Sequence, residues 1–244
     1  MSATSTPADS GRHSVSFTVN ACNSDAPFIE STLRHMLPAL GFPFAERFIT
    51  YDPGRQEGKY AERAVGDRAT MEAIFQRLLD ERVIDRVDVV PWNQPEQQRI
   101  LGTYFGGTQV DLKDFSGAPI YQYLYALDRC EGTYVFHADS DMLFHRAVDE
   151  SWIDQGIELM QQEPRVVVTC PRAGPPQARN WLERLAGRSF EPTPTEKWRR
   201  VDFTSTRYFL MDMAKFRTAL PLVQSRPGEP LENSLTHTIK LRGL

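Results

Sequence analysis

The sequence predicts an α/β fold, with a mainly parallel central sheet and helices on both faces. Short β-branched runs alternate along the chain with segments whose apolar residues recur at helical spacing. The connections between runs are long enough for the crossovers that parallel pairing requires. Polar residues also gather at the C-terminal ends of the runs, which is where ligands bind in such sheets.

The first element is the run Ser14 to Asn20, whose apolar and small polar residues alternate as in a strand. A turn at Asn23 to Pro27 leads to a helix from Phe28 to Leu40, with Ile29, Leu33, Met36, Leu37 and Leu40 on one face. Arg47 to Tyr51 is the second strand, stopped by Asp52-Pro53-Gly54, and a Gly- and charge-rich loop carries the chain to Ala69. Thr70 to Arg82 is the next helix and Val87 to Val90 the third strand, ending at Pro91. Beyond a Gly-rich stretch, Pro119 to Leu127 reads as a helix and Thr133 to Ala138 as the fourth strand, ending in Asp139-Ser140-Asp141. A helix near Ile153 to Gln162, strands at Val166 to Thr169 and Phe203 to Met211, and a Pro/Arg-rich stretch from Pro171 to Arg200 complete the pattern. The expected organisation is a flexible arm over 1–12 and one domain over 13–244, whose two halves cover about 13–144 and 145–244.

Composition narrows the function classes. The 244 residues carry 28 Lys+Arg against 32 Asp+Glu, a net charge of −4, so a general polyanion binder is excluded and no nucleic-acid partner is expected. With 41% hydrophobic residues the chain is rich enough to bury a core. No apolar run is long enough to span a bilayer, and Met1 to Arg12 lacks a hydrophobic signal core, so a cytoplasmic protein is expected. Cys22, Cys130 and Cys170 lack metal-ligand spacing and read as reduced thiols.

The chemical centre is Asp139-Ser140-Asp141. Residues two apart on an extended strand lie on one side, so two carboxylates can face one cation. Hard oxygen ligands suit Mg²⁺ or Mn²⁺, and such a cation stabilises charge on a leaving diphosphate. Asp-x-Asp arises by chance about once in a chain of this composition, and an Asp here can instead cap the following helix. Position at a strand end, beside other strand-end polar groups, is what favours the functional reading.

Those residues resemble the GT-A-fold nucleotide-sugar glycosyltransferases, particularly family-2-like members. The likeness rests on the opening strand with Asn20-Ala21-Cys22-Asn23, the second strand ending in Asp52, the helix from Pro119 to Cys130 with Glu131-Gly132-Thr133, and Tyr134 through Phe144. It spans Ser14 to Phe144 well and the C-terminal third loosely. The resemblance implies that Asp139 and Asp141 hold Mn²⁺ or Mg²⁺, with Asp141 in direct contact and Asp139 nearer the ribose or a metal-bound water. It implies nucleotide-sugar contacts at Ala21, Asn23, Asp52 and Ser140. Asp52 would read the base, or initiate the turn before Pro53-Gly54.

Glycosyl transfer in inverting enzymes needs a base for the acceptor hydroxyl. Leu231-Glu232-Asn233 resembles the family's acidic pair before a helix. Because Asn233 cannot take a proton, Glu232 is the candidate base, its alternative being a purely structural carboxylate at a helix N-terminus. His237 completes the metal shell or is an ordinary packed residue, while His137 and His145 stay outside it. Lys113 to Ala118, with Lys113 and Gly117, is the expected donor-side loop. Arg55, Lys59, Arg63 and Arg99 are further candidates to neutralise diphosphate, and Trp181, Trp198 and Tyr208 for a sugar platform or core. The expectation is a metal-dependent transferase moving sugar from a nucleoside-diphosphate sugar to a glycan, lipid-linked or small-molecule acceptor. Rivals are a sugar-nucleotide nucleotidyltransferase and a non-catalytic nucleotide- or glycan-binding module.

Overall fold

In the computed structural model, residues 13–54, 57–62, 66–145, 151–171, 201 and 203–244 are described. Six strands make one sheet: β1 (Val15–Cys22), β2 (Glu46–Asp52), β3 (Arg86–Val89), β4 (Tyr134–Asp139), β5 (Val168–Thr169) and β6 (Tyr208–Asp212). Their spatial order is β3-β2-β1-β4-β6-β5. The β1–β2, β2–β3 and β1–β4 pairs are parallel, and β6 runs antiparallel to both β4 and β5. The sheet is therefore mainly parallel, as the alternation predicts.

Period-two alternation assigns each strand residue to a face. On one face Val15, Phe17, Val19 and Ala21 of β1 join Ile49 and Tyr51 of β2 and Tyr134, Phe136 and Ala138 of β4 in one core. Helices α1 (Ile29–Leu40), α2 (Arg68–Asp80) and α5 (Trp152–Gln162) cover it through Leu33, Met36, Ile74, Phe75, Ile157 and Met160. Burying an aromatic such as Phe136 completely contributes roughly 1.5–3 kcal/mol. Helices α3 (Gln94–Phe105), α4 (Tyr121–Arg129), α6 (Met213–Ala219) and α7 (Leu231–Leu241) cover the other face with Ile100, Leu124, Phe216 and Leu235.

That second face carries a polar row. Ser16, Thr18 and Asn20 of β1 stand beside Glu46, Phe48 and Thr50 of β2 and beside Val135, His137 and Asp139 of β4. Each buried polar group needs a partner. Ser16 bonds Glu46, Thr50 bonds Asn20, and Gln122 of α4 donates to the carbonyls of Ala21 (3.1 Å) and Thr50 (2.9 Å). Gln122 thus clamps α4 over the ends of β1 and β2.

Three sequence expectations need correction. The helix α3 lies in the stretch read as irregular. Its terminal signals are clear, since Asn93 caps the Glu96 N–H and left-handed Gly106 closes it, but it buries only Ile100, Tyr104 and Phe105, too few for an apolar stripe. The last strand starts at Tyr208 rather than Phe203, because side chains capture the preceding amides: Thr236 Oγ1 accepts Thr204 N–H and Ser205 Oγ accepts Arg207 N–H. Finally, β4 ends at Asp139 and the chain turns there, Met142 N–H bonding the Asp139 carbonyl at 3.2 Å, so Asp141 is not the next same-face strand residue. The expected arm over 1–12 lies outside the described residues.

Candidate active site

The strand order reverses between β1 and β4, a switch point where the chain leaves adjacent strand ends in opposite directions and opens a crevice. Register sets what faces it. Asn20 pairs with Asp139 and Cys22 with Asp52, while Asp139 N–H donates to the Arg207 carbonyl (2.7 Å) just before β6. Residues from β1, β2, β4, the segment just before β6 and the start of α7 thereby surround one cleft of about 760 Å³. It is lined by Ala21, Asp52, Lys113, Gly117, Asp139, Ser140, Asp141 and Glu232, together with Lys59, Tyr123, Thr206 and Arg207.

The acidic pair is held by neighbours the sequence did not single out. Tyr123 Oη donates to Asp139 Oδ1 at 2.5 Å, and the His137 Nε2 lies 3.5 Å from the same oxygen. His137 is buried, its ring stacked on Phe209 (5.2 Å) and against Tyr123 (4.9 Å), so it backs Asp139 from inside the fold. Burial, then the negative charge of Asp139, holds the Tyr123 phenol well above its ordinary pKa, so it remains an O–H donor. Arg207 Nη2 reaches both oxygens of Asp141 (2.8 and 3.0 Å), and its Nε lies 3.5 Å from Asp139 Oδ2. Its bond to Asp141 raises the guanidinium pKa further. One arginine therefore spans the two carboxylates.

These groups fit a magnesium-like cation in donor type. Carboxylate oxygens are its preferred ligands, and such ions are commonly held by one or two carboxylates with substrate phosphates and water. Among the described residues no third His, Cys, Asp or Glu joins them in a metal-sized group, and His237 does not line the cleft. The phosphates of a donor would supply the remaining oxygens.

On the β2 side, Asp52 is buried. Its Oδ1 accepts both the Gly54 N–H (2.8 Å) and the Trp92 indole N–H (2.9 Å), so the turn-forming reading holds geometrically while the residue still lines the cleft. Asn23 does not line it: the amide donates to the Pro53 carbonyl (3.1 Å) and accepts from the Tyr51 hydroxyl, bracing the turn after β1 against that after β2. Two loops meet above. Gly58 and Gly117, both at positive φ (57° and 87°), approach so closely that a Cβ on Gly117 would stand 2.3 Å from the Glu57 carbonyl oxygen. Only glycine permits that approach. Asp114 Oδ1 stiffens the same loop by accepting Ser116 N–H (2.8 Å) and Ala118 N–H (2.9 Å), and Lys113 lies 3.5 Å from Glu57.

Glu232 enters from the first turn of α7, where an acidic side chain complements the positive end of the helix. Thr206 Oγ1 donates to its Oε2 at 3.3 Å. Buried Glu229 anchors this helix start by accepting Ser225 N–H (2.8 Å) and Ser234 Oγ (3.0 Å). Asn233 is outside the cleft lining. Arg99 pairs with Glu96 and Asp128 between α3 and α4, and Tyr208 packs edge-on against Phe144, so neither reaches the cleft. Arg55, Arg63, Trp181 and Trp198 lie outside the described residues.

No family model matches the chain, and no curated protein matches it in sequence. Among solved structures, GalNAc-T7 crystallised with UDP, GalNAc and Mn²⁺ is 12% identical with a TM-score of 0.53, matching 95% of this chain and 41% of that one. A crystal structure of S. aureus TarS 1–349 is 17% identical with a TM-score of 0.49, matching 93% of this chain and 55% of that one. The M. tuberculosis glucosyl-3-phosphoglycerate synthase is 16% identical with a TM-score of 0.43, matching 95% and 68%. The chain thus spans 55% and 41% of the lengths of TarS 1–349 and GalNAc-T7. No helix among the described residues is long and apolar enough to cross a membrane. The mainly parallel sheet, its switch-point cleft and the match to GalNAc-T7 identify a GT-A glycosyltransferase fold.

Proposed function

We propose that the chain is a metal-dependent glycosyltransferase that moves a sugar from a nucleoside-diphosphate sugar to an acceptor hydroxyl. The observation that carries this reading is the convergence, in one cleft, of Asp139 and Asp141 from the end of β4 with Glu232 from the start of α7. UDP, a sugar and Mn²⁺ are also the ligands of GalNAc-T7, which shares the fold. Sorting the cleft's acids by partner strengthens the case. Asp25, Asp52 and Asp114 accept backbone N–H groups of turns, whereas Asp139, Asp141 and Glu232 accept from the side chains of Tyr123, Arg207 and Thr206. A donor diphosphate entering beside those carboxylates needs positive charge to offset repulsion.

A bound Mg²⁺ or Mn²⁺ supplies that charge and polarises the diphosphate as a leaving group. The chain's own groups do the rest. Asp139 and Asp141 would hold the cation, Tyr123 keeps Asp139 oriented through its hydroxyl, and Lys59 and Lys113 line the cleft as further positive charge. Asp52, with Ala21 and Ser140, borders the nucleotide, and the loop around Gly117 covers the donor. In a direct displacement, the acceptor oxygen bonds the anomeric carbon as the bond to the diphosphate oxygen breaks. The Glu232 carboxylate then receives the hydroxyl proton.

The test is thermal stabilisation by a panel of UDP- and GDP-sugars, with Mn²⁺ or with EDTA, followed by donor turnover. Stabilisation that requires the cation is expected, and equal shifts in both buffers refute the metal-linked reading. Pyrophosphate release would identify a nucleotidyltransferase instead.

A further inference from the structure

Arg207 lines the cleft, and transfer chemistry does not by itself require it. It sits just before β6, and antiparallel pairing with β4 fixes its backbone beside Asp139, whose N–H bonds the Arg207 carbonyl at 2.7 Å. Its guanidinium takes both oxygens of Asp141 (2.8 and 3.0 Å) and approaches Asp139 at 3.5 Å, so it faces the very carboxylates that a cation would use. A guanidinium and a divalent ion compete for these carboxylates, because the two cations repel each other at such close range and each offsets the negative charge that attracts the other. The pair is also half exposed, 55% for Arg207 and 49% for Asp141, so water screens it and it exchanges at low cost.

We propose that Arg207 is an exchangeable counter-ion. In the nucleotide-free protein it neutralises Asp139 and Asp141 and keeps their affinity for a free divalent cation low. When a nucleoside diphosphate arrives with its cation, the guanidinium moves from the carboxylates to the diphosphate oxygens, which its planar fork matches equally well. Cation binding is thereby made contingent on the donor. Only the second half, transfer of the fork to the diphosphate, rests on the transferase reading. The first half concerns the carboxylates alone.

The experiment titrates Mn²⁺ into the full nucleotide-free chain, reading free Mn²⁺ by its paramagnetic resonance signal, for wild type, Arg207→Gln and Arg207→Lys. Folding is checked by circular dichroism. Arg207→Gln is expected to bind Mn²⁺ alone at least tenfold more tightly than wild type, with Arg207→Lys between them because it keeps the charge and loses the fork. Mn²⁺ affinity unchanged or weakened in Arg207→Gln overturns the counter-ion assignment. The same proteins then receive UDP and GDP at saturating Mn²⁺. Nucleotide affinity is expected to fall at least tenfold in Arg207→Gln, and an unchanged affinity overturns the transfer to diphosphate. If no form binds either nucleotide while Arg207→Gln still tightens Mn²⁺, the transferase reading fails and the counter-ion assignment stands.

Discussion

Replacing Asp141 by Asn separates fold from function because the structure assigns very different magnitudes to the two. Asp141 lies in the turn after β4, half exposed, and its described side-chain bonds go to Arg207, itself half exposed. Exposed ion pairs contribute roughly 0–1 kcal/mol. For a chain of this size that corresponds to a loss of melting temperature below about 4 °C. The amide retains size and one acceptor for the guanidinium, so the turn should persist. Losing the negative charge at the cation site acts on the transition state, where each tenfold in rate is about 1.4 kcal/mol. A fall in donor turnover of at least a hundredfold is expected, along with weaker Mn²⁺-dependent nucleotide binding. Circular dichroism melts and turnover of a UDP- and GDP-sugar panel measure both quantities on one preparation. Turnover within threefold of wild type, in a folded variant, refutes the reasoning. Asp139→Asn provides the contrast: its carboxylate accepts from Tyr123, is only 24% exposed, and its loss should cost about 1–3 kcal/mol of stability as well.

Glu232→Gln should leave Mn²⁺-dependent nucleotide binding within about threefold of wild type while slowing transfer by roughly 10²–10⁴-fold, the usual range for a general base; parallel loss of binding and transfer would return Glu232 to a structural role. Asp52→Asn should alter the preference among UDP and GDP more than the affinity for Mn²⁺, measured by competition titration, and an unchanged preference would leave Asp52 to its turn and Trp92. Glu46 tests the opposite end of the sheet. Burial alone would raise its pKa, but bonds from the Glu131 N–H, Ser16 and Arg86 outweigh it and hold the carboxyl below its ordinary range. A depressed folded pKa contributes stability above the unfolded value of about 4.3, and that contribution is lost as pH falls through the folded value. Glu46→Gln should therefore lower urea stability at pH 7 by roughly 1–3 kcal/mol, with the difference shrinking below about pH 4. A gap that stays constant down to pH 3 would show that ionisation is not its source.

How much of this was legible in the sequence depended on the range of the interaction. Strand β1 was readable because Val15, Phe17 and Val19 alternate with Ser16 and Thr18, and β2 and β4 because each is a short, mostly apolar run that ends at an acidic residue and a turn. Helices α1 and α2 were readable for the same local reason. The cap signals of α3 were present, yet its shallow burial left no stripe to find. Asp139 and Glu232 stood out because each lies at the end of an element. Arg207 did not, since its meaning depends on the pairing of β6 with β4, which brings it to Asp141 across 66 residues, and an arginine before a strand carries no local mark of that register. Tyr123 was hidden in an aromatic helix that reads as core, where only the target of its hydroxyl distinguishes it from Tyr121 and Tyr125. For Asn23, its position after β1 suggested a nucleotide contact, and what only the fold reveals is that its amide bonds the Pro53 carbonyl and the Tyr51 hydroxyl beside the end of β2.

The polar row under α4 links these observations. A sheet face covered by helices is ordinarily apolar, and Thr18 Oγ1, the Asn20 amide nitrogen and His137 Nε2 are buried without hydrogen-bond partners among the described residues. Groups left in that state reduce stability by about 1–3 kcal/mol each, so the presence of three of them in two same-face register pairs runs against packing alone. All three lie along the β1–β4 seam that leads to Asp139, where Tyr123 of α4 bonds the acid, while the adjacent Gln122 holds α4 to the ends of β1 and β2. An apolar seam would fold more stably, but it would leave Asp139 without an internal backing and free to turn into solvent. Substituting Thr18 by Val removes one unpaired hydroxyl at nearly constant volume, without touching the cleft. It should therefore stabilise the chain slightly in urea and leave nucleotide binding unchanged, whereas His137→Phe should also be tolerated by the fold but weaken the hold on Asp139. If His137→Phe leaves both cation-dependent nucleotide binding and turnover intact, the buried histidine has no part in orienting the acid.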